Sequence, residues 1–286
     1  MKPLILLQSD FSLTWGAVAT MKGVIKQVDP ELEIHDLCHD IRSFDPWEAS
    51  LSLAACESYW PKGTIIVSVV DPGVGTARKA CAALLKDGTI VITPDNGTLT
   101  HLKEKPGIAE VRELNAGRYR LPSGGSSVFD GRDLFSYCAA LIASGKASYT
   151  QIGEIYPVEE IVECEEYHLQ PEVFDHSAEG FIMTGQPHFG GIQMNITNEQ
   201  WKRTGFEIGD TVRVLITHSR VPIFEQDVPY VKSFGFVAKG KPLLYCGSSG
   251  FLSIDCNQAS FMNRYGIGSG KEWKVCLGEA AGNHRR

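Results

Sequence analysis

Thr64-Ile65-Ile66-Val67-Ser68-Val69-Val70 runs directly into Asp71-Pro72-Gly73-Val74-Gly75-Thr76-Ala77-Arg78. The first seven residues are β-branched almost throughout and lack a polar alternation, the pattern of a strand buried on both faces. Pro72 removes a backbone donor and ends the strand. Gly73 and Gly75 let the chain turn sharply and bring its backbone close to a ligand. A plain change of chain direction uses the same residues, so the turn by itself leaves both readings open.

Working outward, Leu4–Gln8 is a second apolar run, and it stops at Ser9-Asp10-Phe11. Between these two runs, residues 16–28 carry apolar side chains at Val18, Met21, Val24, Ile25 and Val28, the spacing of one helix face. A strand over 33–38 follows, then a helix over 45–59 with Asp45 as N-cap and Pro46 at its first position. Beyond the Asp-Pro-Gly turn, strands are expected at 80–85 and 89–93, the latter closing in Pro94-Asp95-Asn96-Gly97. A last helix is expected from Arg132 to Ala143, ending at Gly145.

Strands alternating with helices imply an α/β domain with a mostly parallel sheet. Such sheets take ligands outside the carboxyl ends of their strands. Three of the expected strands end there in an acid: Asp10, Asp71 and Asp95. Each has a bland alternative, since Asp10 and Asp95 also suit helix caps. Asp130 in Phe129-Asp130-Gly131-Arg132-Asp133 does too, with Arg132 and Asp133 as solvated charges.

From about Gly180 the texture changes to short strand-like runs separated by Gly, Pro and Asn turns, at 180–183, 192–196, 211–216, 243–246, 251–255 and 273–277. This predicts an all-β, barrel-like second domain. The acidic stretch 159–166, continuing to Pro171, reads as the link, and the expected domains are 1–168 and 169–286. The length of 286 residues accommodates two such domains.

A net charge of −7 argues against nucleic acid or an acidic membrane surface as partner, since both need a basic face. The apolar run at Leu4–Leu7 is too short for a signal peptide or membrane span, so a cytoplasmic protein is expected. The eight cysteines lie far apart with no CxxC pair, which predicts free thiols. In His35-Asp36-Leu37-Cys38-His39-Asp40, strand alternation sends neighbouring side chains to opposite faces, so no metal site is expected. The single Gly73-Val74-Gly75 lacks the rest of a dinucleotide fingerprint, and no phosphate-binding loop is present, so no cofactor is expected.

Taken in order, several of these pieces resemble the S-adenosylmethionine hydrolases, or SAM hydroxide adenosyltransferases, relatives of fluorinase and chlorinase. The resemblance rests on Ser9-Asp10-Phe11, Met21-Lys22-Gly23-Val24-Ile25, Cys38-His39-Asp40-Ile41, Val69 to Arg78, Pro94-Asp95-Asn96-Gly97 and Phe129-x-Gly131-Arg132-Asp133. In the second half it rests on Phe189-Gly190, Asn195-Ile196 and Ser248-Ser249-Gly250. It implies a fluorinase-like fold and a homotrimer with sites between subunits. The implied reaction is hydrolysis of S-adenosylmethionine to adenosine and methionine.

The family's catalytic trio is Asp, Arg and His. Asp71 and Arg78 match the first two, while Asp130 stands in the His position. The resemblance further implies substrate contacts at Asp10, Phe11, Phe44, Asn96, Gln186, Phe189, Gly191, Ser248 and Ser249. Trp15 stands where relatives bind methionine's amino-acid end, and Gly191 where they place an adenine-contacting Asn. The halogenases carry Tyr where this chain has Asp71, and a carboxylate would repel a halide, so halide transfer is not expected. Two alternatives stay open: a nucleoside-binding homologue without catalysis, and the same chemistry on another adenosyl substrate.

Overall fold

The computed structural model describes residues 2–123, 128–186 and 188–280, and the chain divides into two compact units, Met1–His168 and Leu169–Arg286. The first contains β1 (Ile5–Ser9), α1 (Ala17–Val28), β2 (Ile34–Cys38), α2 (Pro46–Cys56), β3 (Ile65–Val69), β4 (Ala80–Leu85) and β5 (Ile90–Pro94). It continues with α3 (Thr100–Leu102), β6 (Ile108–Leu114), α4 (Ala116–Tyr119), α5 (Tyr137–Ala143) and β7 (Gly153–Tyr156).

The strands form one sheet in the order β2-β1-β3-β5-β4-β6-β7. Pairs β1–β2, β1–β3 and β3–β5 are parallel, whereas β4–β5, β4–β6 and β6–β7 are antiparallel. The sheet is therefore mixed, and the expectation of a mostly parallel one holds only for its β2-β1-β3-β5 half. The reason lies in the Lys86–Thr89 connection, which is far too short for a crossover and can only fold back as a hairpin.

The unbroken apolar runs are explained by helices on both faces. Ile5 and Leu7 of β1, with Ile65, Val67 and Val69 of β3, pack against Met21 and Ile25 of α1 and Phe135 and Ala139 beside and within α5. Leu6 and Ile66 point the other way, toward Leu53 of α2 and Leu99 and Leu102 around α3. Each such side chain contributes on the order of 1.5–3 kcal/mol when fully buried. Asp45 caps α2 by accepting from the Glu48 N–H at 3.0 Å, and Pro46 fills the first position. The last helix differs from expectation, because residues 131–136 form a wide π-type turn before α5 begins.

The second unit contains β8 (Glu172–Phe174), β9 (Ser177–Gly185), β10 (Ile192–Thr197), α6 (Asn198–Lys202), β11 (Thr211–His218), β12 (Val221–Pro229), β13 (Pro242–Cys246), β14 (Phe251–Cys256), α7 (Phe261–Tyr265) and β15 (Gly270–Glu279). Its antiparallel sheet runs β12-β11-β15-β9-β10-β14-β13, with β8 beside β9. A bridge between Tyr230 and Leu244 brings the two ends together, so the sheet is nearly a closed barrel. Its interior is filled by Trp201, Met194, Ile254, Phe261 and Val214.

One expectation is refined and another met. The acidic segment after β7 is packed rather than loose, with Glu160 paired to Lys79 and Glu163 to Lys103. All eight cysteines are free, and burial pushes the Cys138 thiol up to about 12.

Candidate active site

β1, β3 and the start of the last helical segment bring their ends to one cavity of about 100 Å³, whose walls include Asp10, Phe11, Phe44, Asp71, Val128, Phe129 and Asp130. These are the ends at which an α/β sheet takes its ligand. Two of the three strand-end acids converge here, together with the acid that opens the helical segment. Gly131 permits this, since a Cβ there would lie 2.9 Å from a Val69 methyl, so the segment sits directly against β3.

Arg78 organises the carboxylates. Its Nε lies 3.0 Å from both oxygens of Asp71, and one terminal nitrogen also donates to Asp71 Oδ2. The same terminal nitrogen reaches Asp130 Oδ2 at 2.5 Å. Asp130 Oδ1 in turn accepts from Arg120 at 2.7 Å. The result is an alternating chain, Asp71–Arg78–Asp130–Arg120, whose two negative and two positive charges cancel. Asp71, Arg78 and Asp130 are all nearly buried. Burial alone would push the Arg78 pKa down, but the hydrogen bonds it donates to Asp71 and Asp130 outweigh it and hold the guanidinium charged.

Asp10 accepts from the backbone N–H of Phe44 through Oδ2 at 3.0 Å. Phe44 sits in the left-handed region, at φ 66°, and its ring is 73% exposed at the cavity rim. A bulky residue is uncommon in that conformation. Asp10 is itself braced from behind. Ser9 Oγ lies 2.7 Å from His39 Nδ1, and His39 Nε2 lies 3.1 Å from Asp36 Oδ1. Ser9 Oγ also accepts from the Phe11 N–H at 3.2 Å. Ser9 is fully buried, so this Ser–His–Asp chain holds the loop after β1 and has no access to a substrate. His39 and Asp36 therefore do meet, three residues apart at the strand's end, where the alternation of faces no longer applies.

Other expected positions go elsewhere. Asp95 is buried beneath β7, accepting from the Tyr156 hydroxyl and the Val162 N–H, each at 2.9 Å. It neither caps a helix nor reaches the cavity, and burial raises its pKa despite those bonds. Asn96 donates to the Val70 carbonyl at 2.9 Å and accepts from the Thr98 hydroxyl at 2.9 Å, which fastens its own turn. It does not line the cavity. Asp130 makes no capping hydrogen bond, because its oxygens are taken by the arginines. Arg132 and Asp133 are not solvated charges. Asp133 is 0% exposed, and Arg132 grips it at 2.6 and 2.9 Å.

In the second unit, the Gln186 N–H donates to the Gly191 carbonyl at 2.8 Å, closing a turn that leaves Phe189 exposed. Gly191 packs against Asp255, whose carboxylate would lie 2.2 Å from a Cβ at that position. Tyr245 donates to Asp255 at 2.8 Å, and burial raises the Asp255 pKa. Ser248 and Ser249 are exposed on the turn between β13 and β14. β10 pairs Ile192 with Ile254 and Thr197 with Phe251, so Gly191 and the serine turn flank opposite ends of one strand pair. Three residues of strand separate Phe251 from Ile254, roughly 10 Å.

Arg120 carried no signal in the sequence reading. It stands in Arg118-Tyr119-Arg120, outside any motif. The available clue was physical: a buried carboxylate at 130 calls for full pairing.

The SAM hydroxide adenosyltransferase N-terminal domain matches residues 5–153, and the C-terminal domain of the same family matches residues 187–274. The chain is 32% identical to an (R)-S-adenosyl-L-methionine hydrolase of Thermus thermophilus, covering 94% of this chain and 98% of that one. It is 26% identical to a fluorinase of Nocardia brasiliensis, covering 97% and 98%. An uncharacterized conserved protein from Thermotoga maritima has a solved structure that superposes with a TM-score of 0.85. The two are 28% identical over 96% of this chain and all of that one. With both of its units matched, the chain belongs to the SAM hydroxide adenosyltransferase family.

Proposed function

We propose that this chain hydrolyses S-adenosyl-L-methionine to adenosine and L-methionine by attack of water on the ribose C5′. The observation that carries the reading is the Asp71–Arg78–Asp130 arrangement at a cavity shared with Asp10, in a family whose relatives include named S-adenosylmethionine hydrolases. Asp10 has Oδ1 left to accept from the ribose hydroxyls, since Oδ2 holds Phe44. Phe11 and Phe44 flank the sugar.

The sulfonium is already a good leaving group, so the demand falls on water, which must lie behind C5′ in line with the C5′–S bond. Such alignment supplies about 7 kcal/mol or more of the barrier. Asp71 accepts a hydrogen bond from this water, and Arg78 keeps Asp71 from turning away. As the oxygen–carbon bond forms, the C5′–S electron pair passes to sulfur, leaving a neutral thioether. The attacking oxygen loses one proton through Asp71 to solvent. Asp130 serves here as a bridging anion that orients Arg78 and Arg120, since its two oxygens are held by two different guanidiniums, whereas Asp71 answers, among the described residues, to Arg78 alone. A halide would meet Asp71 where it needs a neutral donor, so halide transfer is disfavoured.

Gln186, Phe189 and Gly191, with Ser248 and Ser249, take the two ends of an elongated substrate in this reading. The chain works as a homotrimer, with sites shared between subunits, in the cytoplasm. Asn96 contributes by shaping the turn beside Asp71. A second reading, nucleoside binding without turnover, draws on the same full occupation of Asp130. Incubation with S-adenosylmethionine and chromatography of the products separates the two. Adenosine and methionine in equal amounts are expected, and no adenosine above the protein-free control from pH 6 to 9 overturns hydrolysis.

A further inference from the structure

A second, open cavity of about 340 Å³ adjoins the first, with which it shares Phe11, Val128 and Phe129, and it adds Trp15 and Arg132. We propose that this cavity is a cation–π subsite that holds the positively charged sulfur of the substrate. It makes the chain select a cationic 5′ substituent over a neutral one. The proposal rests on the adenosyl-sulfonium reading above and deepens it.

Phe11 lies edge-on to two neighbours, Trp15 at 6.2 Å and Phe129 at 5.6 Å between ring centres. The turn between Phe11 and Trp15 is shaped for this. Ser12 adopts φ 54°, and its hydroxyl accepts from the Thr14 N–H at 3.1 Å and meets the Thr14 hydroxyl at 2.7 Å. Both rings are thereby brought to the same hollow. Trp15 is 62% exposed, an arrangement that core packing does not require.

A trivalent sulfur offers no N–H or O–H, so hydrogen bonds cannot recognise its charge. Its charge is spread over the attached CH groups, and aromatic faces attract such a cation. Arg132 is the charge that would oppose this. Asp133 neutralises it through two hydrogen bonds at 2.6 and 2.9 Å, and its guanidinium stacks 4.9 Å from the Phe129 ring centre. Among the described residues lining this cavity there is no carboxylate, hydroxyl or amide side chain. The aromatic rings of Phe11, Trp15 and Phe129 are thus the groups of this cavity that a sulfonium can engage. The charge on sulfur disappears as the C5′–S bond breaks, so the attraction acts mainly on bound substrate.

The test uses two probes that lack the amino-acid arm and do not turn over. One is 5′-deoxy-5′-(trimethylammonio)adenosine, a permanent cation; the other is neutral 5′-methylthioadenosine. Calorimetric titration of the full chain is expected to give about 5–10-fold tighter binding of the cation. In Trp15→Leu that preference disappears while affinity for the neutral probe stays within about twofold, and Trp15→Phe restores most of it. With S-adenosylmethionine, Trp15→Leu raises KM and leaves kcat unreduced. Equal affinity for the two probes, binding of neither, or an equal loss for both in Trp15→Leu overturns the subsite. A chain that binds the cation selectively yet releases no adenosine keeps the subsite and loses the hydrolase reading.

Discussion

Asp130 offers one oxygen to Arg78 at 2.5 Å and the other to Arg120 at 2.7 Å, and the consequences of changing it follow from that geometry. A neutral imidazole has one acceptor nitrogen and cannot serve two guanidiniums. Asp130→His is therefore expected to lower adenosine formation and the melting temperature. Release of adenosine at or above the wild-type rate would contradict this. Arg120→Ala leaves Asp130 with a single partner. Loss of a charged hydrogen bond costs about 1.5–3 kcal/mol, so kcat is expected to fall at least about 10-fold, with Arg120→Lys recovering part of it. Asp71→Asn keeps the shape but removes the acceptor for the water's proton, and a loss of about 10²-fold or more in kcat is expected with adenosine affinity retained.

Where elements meet, two contacts between acids and their neighbours make separate predictions. Glu57, just past the end of α2, is nearly buried and faces Asp87 in the β4–β5 hairpin. Burial, then the Asp87 carboxylate, pushes the Glu57 pKa up to about 7 from an ordinary 4.5. The folded chain thus holds a proton that the unfolded chain releases. Stability from this contact is fully present below about pH 4.5 and declines as pH rises, until the loss is complete above about pH 7. Glu57→Gln cannot lose that proton. It is expected to raise the melting temperature at pH 8 and not at pH 4.5, by about 2–4 °C per kcal/mol recovered. The second contact is in the barrel, where Gly191 leaves room for the Asp255 carboxylate. Gly191→Ala is expected to cost about 1–3 kcal/mol by overpacking. Asp255→Ala in the same chain should relieve part of it, which a double-mutant cycle of melting temperatures would show as favourable coupling.

At the scale of the whole molecule, the proposed homotrimer predicts a sedimenting species of three 31.4 kDa chains. A purely monomeric chain with full activity would rule out a site shared between subunits. Among the described residues, no group of three His, Cys, Asp or Glu side chains is placed to hold a metal ion, and adenosine release is expected to be unchanged by EDTA. No described helix is long and apolar enough to cross a membrane. The antiparallel half of the first sheet is marked in the sequence only by the short Lys86–Thr89 connection, because a buried apolar run looks the same in either strand direction. β12 is faint in the sequence for a different reason. Pro222 and Pro229 near its ends, with Glu225 and Asp227 facing out, mark an edge strand whose exposed face carries no apolar alternation.

Local patterning determined which runs are buried strands, where α2 starts, and that Asp10, Asp71 and Asp130 stand at chain turns. These features depend on near neighbours and on the periodicity of burial, which a sequence displays directly. Only the tertiary structure decided the partners. It sent Asp95 to Tyr156 and Val162 and gave Asp130 a second arginine from ten residues upstream. It also set Trp15 beside Phe11 and Phe129. Long-range pairing of charges and rings depends on how separate elements pack in space, and no local spacing encodes it.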